Sequence, residues 1–289
     1  VTSGVTQNEA SMTLYQQIIY EVDDPVATIT LNRPKQLNAW TPRMAIEVRH
    51  AVAQAESDPA VVGIIITGAG RAFCAGADLG NLNTLTEGGT LDTDAGDALE
   101  VAADPATPDD FTGAYTYLLA TTKPVIAAIN GAVAGMAVPI ALCCDLRFMA
   151  EDAPLLTAFA QRGLIAEWGL SWLLPRLVGT SAALDLLMSS RRVSGEEAAR
   201  LGVVNAAMPA DDVVPHSRRY IEEIAVRCSP TSIAIMKQQV YGQLHAGLGP
   251  AEREAQQLML ESFGRPDFRE GVTSFLEKRP PSFRRLGDT

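Results

Sequence analysis

Residues 61–79 read VVGIIITGAGRAFCAGADL. The first seven, 61–67, are a continuous apolar run rich in β-branched residues, the pattern of a strand buried on both faces. A glycine-bearing loop, 68–80, follows, and its small residues let the backbone come close to a ligand. A dinucleotide fingerprint would suit such a position. Here Phe73 stands where the third glycine of GxGxxG is required, and no helix starts at once. Residues 123–148, KPVIAAINGAVAGMAVPIALCCDLRF, repeat the order. They predict a buried strand at 124–130, a loop at 131–135, an apolar helix at 136–143 and a further strand at 145–149. A helix N-terminus carries free N–H groups and the positive end of the helix dipole. Two such loops on neighbouring strands are able to aim two N–H groups at one oxygen, forming an oxyanion hole.

Outward from these segments, residues 15–21 predict a strand, Asp23-Asp24-Pro25 a turn, and 26–31 (VATITL) an alternating strand that closes a hairpin. Thr41 as N-cap and Pro42 at the first helical position open a helix that runs to about residue 57. Residues 81–110 are rich in Gly, Thr, Asp and Ala and predict a mobile surface insertion. Residues 111–121 predict a helix. Beyond residue 181 the pattern is mostly helical. Ser194-Gly195-Glu196-Glu197 forms a capping box, and helices are expected at about 212–228, 231–247 and 250–262. Strands alternating with helices indicate an α/β fold. The division expected is a disordered tail at 1–13, an α/β core at 14–195 and a helical C-terminal region at 196–289.

The 289 residues carry 23 basic and 34 acidic side chains, a formal charge of −11. Such a chain has no electrostatic reason to bind nucleic acid or an anionic membrane. No apolar run is long enough to span a bilayer, and VTSGVTQNEASM at the start lacks the features of a signal peptide. A cytoplasmic location is expected. Cys74, Cys143, Cys144 and Cys228 form no CxxC, so buried free thiols are expected rather than disulfides or a metal site. His50, His216 and His245 lie beside no motif, and a Ser–His–Asp or Cys–His site has no support.

LNAWT (37–41), AFCAGADL (72–79), NGAVAG (130–135) with Cys144-Asp145 closing its helix, RGLIAEWGLSWLLPRLVG (162–179) and EGVTSFLEKRPPSF (270–283) occur in that order. Together they resemble the crotonase (enoyl-CoA hydratase/isomerase) superfamily over residues 15–283, and its actinobacterial-type group in particular. The resemblance implies a crotonase-like spiral of ββα units, assembly into a homotrimer or homohexamer, and an acyl-CoA thioester as ligand. Coenzyme A enters as part of the substrate, and no metal or redox cofactor is implied. The oxyanion donors fall on the N–H groups of Ala77 and Met136. Ligand contacts fall on Lys35, Gln36, Ala75, Asp78, Leu79, Gly135, Pro139 and Phe159. Phe275 and Lys278 would come from a neighbouring subunit. For each of the two lysines the plain alternative is an ordinary solvated charge.

The sequence departs from the family where hydratases carry two glutamates. Those positions are Pro139 and Phe159, and neither side chain moves protons. A third acid position of the family falls on Glu167, whose sequence neighbours Leu164, Ile165, Ala166, Trp168 and Leu170 are apolar. Enclosure by them would raise its proton affinity and suit it to general acid/base work. The alternative is a surface glutamate in the turn before a helix at Ser171. Trp40, Phe159 and Trp168 are expected to wall an acyl pocket. The activity implied is isomerisation or hydration of an enoyl-CoA with Glu167 as proton shuttle. The rivals are hydrolysis of a thioester or carbon–carbon bond, and acyl-CoA binding without catalysis.

Overall fold

The computed structural model describes residues 14–90, 99–102 and 107–287. The tail expected at 1–13 lies outside them. β1 (Ile18–Asp23) and β2 (Val26–Leu31) form the expected antiparallel hairpin. α1 (Pro42–Ser57) starts as the sequence predicts: Pro42 occupies the first turn and the Thr41 hydroxyl accepts the Met44 N–H at 3.1 Å.

The chain then repeats one unit three times: a strand, a short second strand and a helix. The first unit is β3 (Gly63–Gly68), β4 (Ala72–Cys74) and α2 (Leu79–Thr86). After the short helix α3 (Tyr117–Ala120) comes β5 (Val125–Ile129), β6 (Ala132–Ala134) and α4 (Ala137–Leu142). The third is β7 (Leu146–Ala150), β8 (Leu155–Leu156) and α5 (Leu170–Ser189), which breaks at Gly179. The first strands join one six-stranded sheet and the second strands join a three-stranded sheet, β4-β6-β8. This is the expected spiral of ββα units.

α6 (Gly195–Leu201) follows, capped by Ser194, whose hydroxyl accepts the Glu197 N–H. β9 (Ala206–Met208) comes from beyond residue 195 and pairs with β7, completing the order β1-β2-β3-β5-β7-β9. α7 (Ala210–Arg227) packs across the large sheet, and a methyl group added at Gly63 would meet Ile221 at 2.9 Å. α8 (Pro230–Gly242), α9 (Leu248–Phe263) and α10 (Pro266–Glu277) are the last helices of the described chain. Every residue of β3 and β5 is buried, which is why their sequences are unbroken apolar runs.

Several expectations are corrected. The loops predicted at 68–80 and 131–135 contain β4 and β6, and β8 and β9 had no prediction. Strands of two or three residues are too short to show a period. The insertion expected at 81–110 begins inside α2. The helix expected at 111–121 is a 3-10 turn, Asp109–Phe111, and the four residues of α3, separated by residues 112–116.

Candidate active site

β4 and β6 are parallel neighbours, with Ala72 opposite Ala132 and Cys74 opposite Val133, so the loops that leave them run side by side. The packing is backbone on backbone. A methyl group at Gly131 would lie 2.3 Å from the Arg71 carbonyl oxygen, and one at Gly76 (φ 102°) 3.0 Å from that of Ala134. A short parallel bridge joins Ala77 to Trp40. In it the Trp40 N–H donates to Gly76 O at 2.8 Å and the Asp78 N–H donates to Trp40 O at 3.0 Å. Successive N–H groups of an extended chain point to opposite sides, so the Ala77 N–H faces away from Trp40. On the second loop, the Gly135 N–H donates to Leu156 O at 3.0 Å, and Met136 is the next residue, at the start of α4. Among the described residues, neither the Ala77 nor the Met136 N–H has a protein acceptor.

The loop before Trp40 is tied to the same place. Asn38 is buried with φ 55°, a conformation that asparagine tolerates. Its amide donates to Ala69 O and Ala72 O and accepts the Arg33 N–H. The Arg33 guanidinium donates to Ala39 O at 2.6 Å and pairs with Asp78 at 2.9 Å. Partial burial opposes ionisation of Asp78, but Arg33 and the N–H groups of Gly80 and Asn81 outweigh it and hold the carboxyl below its usual range. Ala75 and Leu79 are exposed beside it, as are Lys35 and Gln36 in the 3-10 turn Pro34–Gln36.

Glu167 is half-buried in the turn that enters α5. Trp168 (φ 55°) and Gly169 (φ 76°) turn the chain there, and the Leu170 N–H donates to Glu167 O. The apolar enclosure expected from its neighbours is incomplete within one chain: Leu164, Ile165 and Trp168 are exposed, Ala166 is half-buried and only Leu170 is fully covered. Tyr115 spans the gap between this turn and the Ala77 loop. Its ring stands edge-on to Trp40 at 5.7 Å and to Trp168 at 5.3 Å. Burial raises the Tyr115 phenol above its ordinary range. The Trp40 indole beside it opposes the rise, and the nearby Cys74, Cys143 and Glu167 add to it.

Pro139 and Phe159 are both buried. Trp40 is buried as well and Trp168 is exposed, and none of the three expected aromatic walls lines the open cavity that the chain does form. That cavity is about 200 Å³ and is bounded by Asp110, Phe111, Thr116, Trp172, Tyr241 and His245, with Gly169 at its edge. Trp172 there lies between Arg176, 3.9 Å from the ring centre, and His245, 5.3 Å between ring centres. Another hollow, at Val61, Thr122 and Pro230, measures about 10 Å³ and touches none of these residues. Phe275 and Lys278 stand exposed at the end of α10. Burial pushes the Cys74 and Cys143 thiols up to about 12, so neither is a nucleophile near neutral pH. His50 is buried against the Tyr15 hydroxyl, 2.7 Å from Nδ1.

Residues 21–285 match the family model for enoyl-CoA hydratase/isomerase. The chain belongs to the enoyl-CoA hydratase/isomerase family. A Rhodobacter capsulatus protein named "Probable enoyl-CoA hydratase" is 34% identical over 273 residues, 93% of this chain and 98% of the relative. The 1,2-epoxyphenylacetyl-CoA isomerase of Escherichia coli K12 is 32% identical over 270 residues, 92% and 97% of the two chains. The crystal structure of an enoyl-CoA hydratase from Bacillus anthracis superposes with a TM-score of 0.78 at 27% identity, covering 94% of this chain and all of that one. This member of the hydratase/isomerase family is therefore an enzyme of the crotonase fold. Relatives of both names occur at nearly equal identity, so membership alone does not choose between hydration and isomerisation.

Arg33, Asn38, Tyr115, Trp172, Tyr241 and His245 were not singled out from the sequence as site residues. For Asn38 a signal existed: LNAW holds an asparagine where a glycine-like conformation follows a proline turn. For Tyr115, Tyr241 and His245 no local signal exists, because each meets its partners across long stretches of chain.

Proposed function

We propose that this enzyme binds an acyl-CoA thioester, holds its enolate with the N–H groups of Ala77 and Met136, and moves a proton along the acyl chain with Glu167. The observation that carries the reading is the pair of abutting glycine loops whose two N–H groups lack protein acceptors among the described residues. Donors held in place before the reaction stabilise charge without reorganising, and one such donor is typically worth roughly 10²–10³ in rate. No side chain is needed for that role, which explains why alanine and methionine suffice.

Glu167 is a carboxylate on this side of the site, joined to the Ala77 loop through Trp168, Tyr115 and Trp40. Pro139 and Phe159 carry no proton to a water, which favours isomerisation of an enoyl-CoA over hydration. Lys35, Gln36, Ala75, Asp78, Leu79 and Gly135 border the path for coenzyme A and thioester, and Lys35 offers charge to its phosphates. The far end of the acyl group lies toward the cavity at Trp172 and Tyr241. A homotrimer or homohexamer, in which Phe275 and Lys278 reach a neighbour's ligand, agrees with the apolar residues exposed on α9 and α10: Met259, Leu260, Phe263, Phe275 and Leu276.

The test is a panel of enoyl-CoA esters read by mass and by free thiol, with wild type and Glu167→Gln. The substitution keeps shape and hydrogen bonding and removes the titrating group. On the best substrate kcat falls by roughly 10²–10⁴ with KM little changed. A Glu167→Gln enzyme with near-normal kcat overturns the shuttle. Release of free coenzyme A identifies a hydrolase instead, and binding without turnover identifies a non-catalytic carrier.

A further inference from the structure

We propose that Arg279 and Glu270 are positioning residues for the bound thioester: they lock the chain reversal after α10 and engage the acids beside it, so that the Lys278 amine is left free for a phosphate of coenzyme A. This rests on the reading above that brings Lys278 to a ligand, and it names the residues that hold it there. α10 is weakly seated in its own chain. Among the described residues Ser274 is the one that it buries, and α9 buries none. The chain leaves α10 through Lys278 in the left-handed conformation (φ 56°), with the Lys278 N–H donating to Phe275 O at 3.2 Å and the Arg279 N–H to Ser274 O at 3.1 Å. Glycine is the usual residue at such a reversal, because a Cβ strains it.

Glu270, two turns back on the helix, offsets that strain. Its carboxylate accepts the forked guanidinium of Arg279, Nη1 at 2.6 Å and Nη2 at 2.9 Å, and also the Ser282 N–H at 2.7 Å. Exposed ion pairs usually contribute little, but a bidentate pair within a network is the exception. Arg279 first, and the Ser282 N–H second, hold the Glu270 carboxyl down at about 2, so the pair stays charged near neutral pH. Beyond it the chain remains fastened: Phe283 lies over Gly271, and Arg285 donates to Asp24 of the β1–β2 turn and to Ala60 O. The Arg279 Nε also donates to Glu277 at 2.7 Å. Glu277 adjoins Lys278 in the chain, so Arg279 occupies the acid next to that lysine as well as Glu270. Lys278 is exposed and pairs with no carboxylate among the described residues. An amine left unpaired on a fixed backbone is a point charge suited to a phosphate.

Isothermal titration of the full chain with butyryl-CoA, arranged as a double-mutant cycle, tests the inference. Lys278→Ala raises the Kd roughly three- to tenfold, the range of one hydrogen bond. Arg279→Ala also raises it, with Lys278 intact, and adds nothing when placed in the Lys278→Ala background. Arg279→Lys, which keeps the charge and loses the fork, recovers part of the affinity. Glu270→Gln shifts the Kd in the same direction and serves if Arg279→Ala does not fold. A loss of the same size with and without Lys278 marks a merely structural role and overturns the inference. So does a wild-type Kd in both Arg279→Ala and Glu270→Gln, or light scattering that traces the loss to a changed assembly. In those cases Lys278→Ala still weakens binding and the acyl-CoA reading stands. An unchanged Kd in Lys278→Ala removes the Lys278 contact and this inference together. Failure of wild type to bind butyryl-CoA overturns the acyl-CoA reading itself.

Discussion

The Ala77–Met136 side of the site is backbone held by backbone, whereas the Glu167 side is built from side chains on a surface turn. On the first side, β4 and β6 pair in parallel with a register shift between Ala72 and Cys74, and Gly68 and Gly131, which lead from the large sheet into the small one, leave no space for a methyl group. On the second, Glu167 and Trp168 sit in an entry turn whose apolar neighbours reach solvent, and the nearby cavity is bordered by Tyr241 of α8. The difference teaches that the two abutting loops that carry the Ala77 and Met136 N–H groups are held together within one chain. The Glu167 turn and the cavity beside it depend on packing between residues far apart along the chain.

The comparison breaks most severely at the anchor of α8. Lys237 Nζ donates to Asp145 at 2.7 Å, to Thr121 Oγ1 and to the carbonyls of Leu118 and Lys123, and the Tyr241 hydroxyl also donates to Asp145. Lys237→Met leaves Asp145 partly buried without its counter-charge. Removing one partner of such a pair typically costs about 3–5 kcal/mol, and urea denaturation checks it. Since α8 carries Tyr241, the cavity side is expected to loosen before the backbone side does, which hydrogen exchange resolves.

The backbone side is attacked directly by Gly131→Ala. Its new methyl group would meet the Arg71 carbonyl oxygen at 2.3 Å and Ala72 Cα at 2.9 Å, pushing β6 off β4. Overpacking of this kind costs about 1–3 kcal/mol, and the displaced donor lowers kcat/KM by roughly 10²–10³. A variant that keeps full turnover would show that the alignment of the two loops is unimportant. The smallest effect on the chain itself is expected from Phe275→Ser. Phe275 is 81% exposed, so stability of the isolated fold changes by no more than about 0.5 kcal/mol. Light scattering is expected to show the assembly shifting from trimer or hexamer toward monomer. A wild-type chain that is already monomeric at micromolar concentration removes the assembly proposal.

Legibility in the sequence followed the length scale of each feature. The runs at β3 and β5 were readable because burial on both faces erases alternation. The Thr41-Pro42 and Ser194 caps were readable because a cap bonds residues three apart. β4, β6, β8 and β9 were not, since two or three residues carry no period. The lining of the open cavity was not readable for a related reason. Trp40, Phe159 and Trp168 stand near the motifs in sequence, but Phe111, Trp172, Tyr241 and His245 meet at the cavity only after α3, α5 and α8 have packed.

By itself the sequence determined the alternation of buried strand, glycine loop and helix, because close backbone approach demands glycine and two-sided burial demands unbroken apolar runs. It also determined that Pro139 and Phe159 carry no proton, since that is a matter of side-chain chemistry alone. Only the tertiary structure decided that the Ala77 N–H faces away from Trp40, that Tyr115 joins the Ala77 loop to the Glu167 turn, and that Lys237 reaches Asp145. Those are contacts between residues far apart along the chain. Their geometry follows from how sheets and helices stack, and no local pattern of residues encodes it.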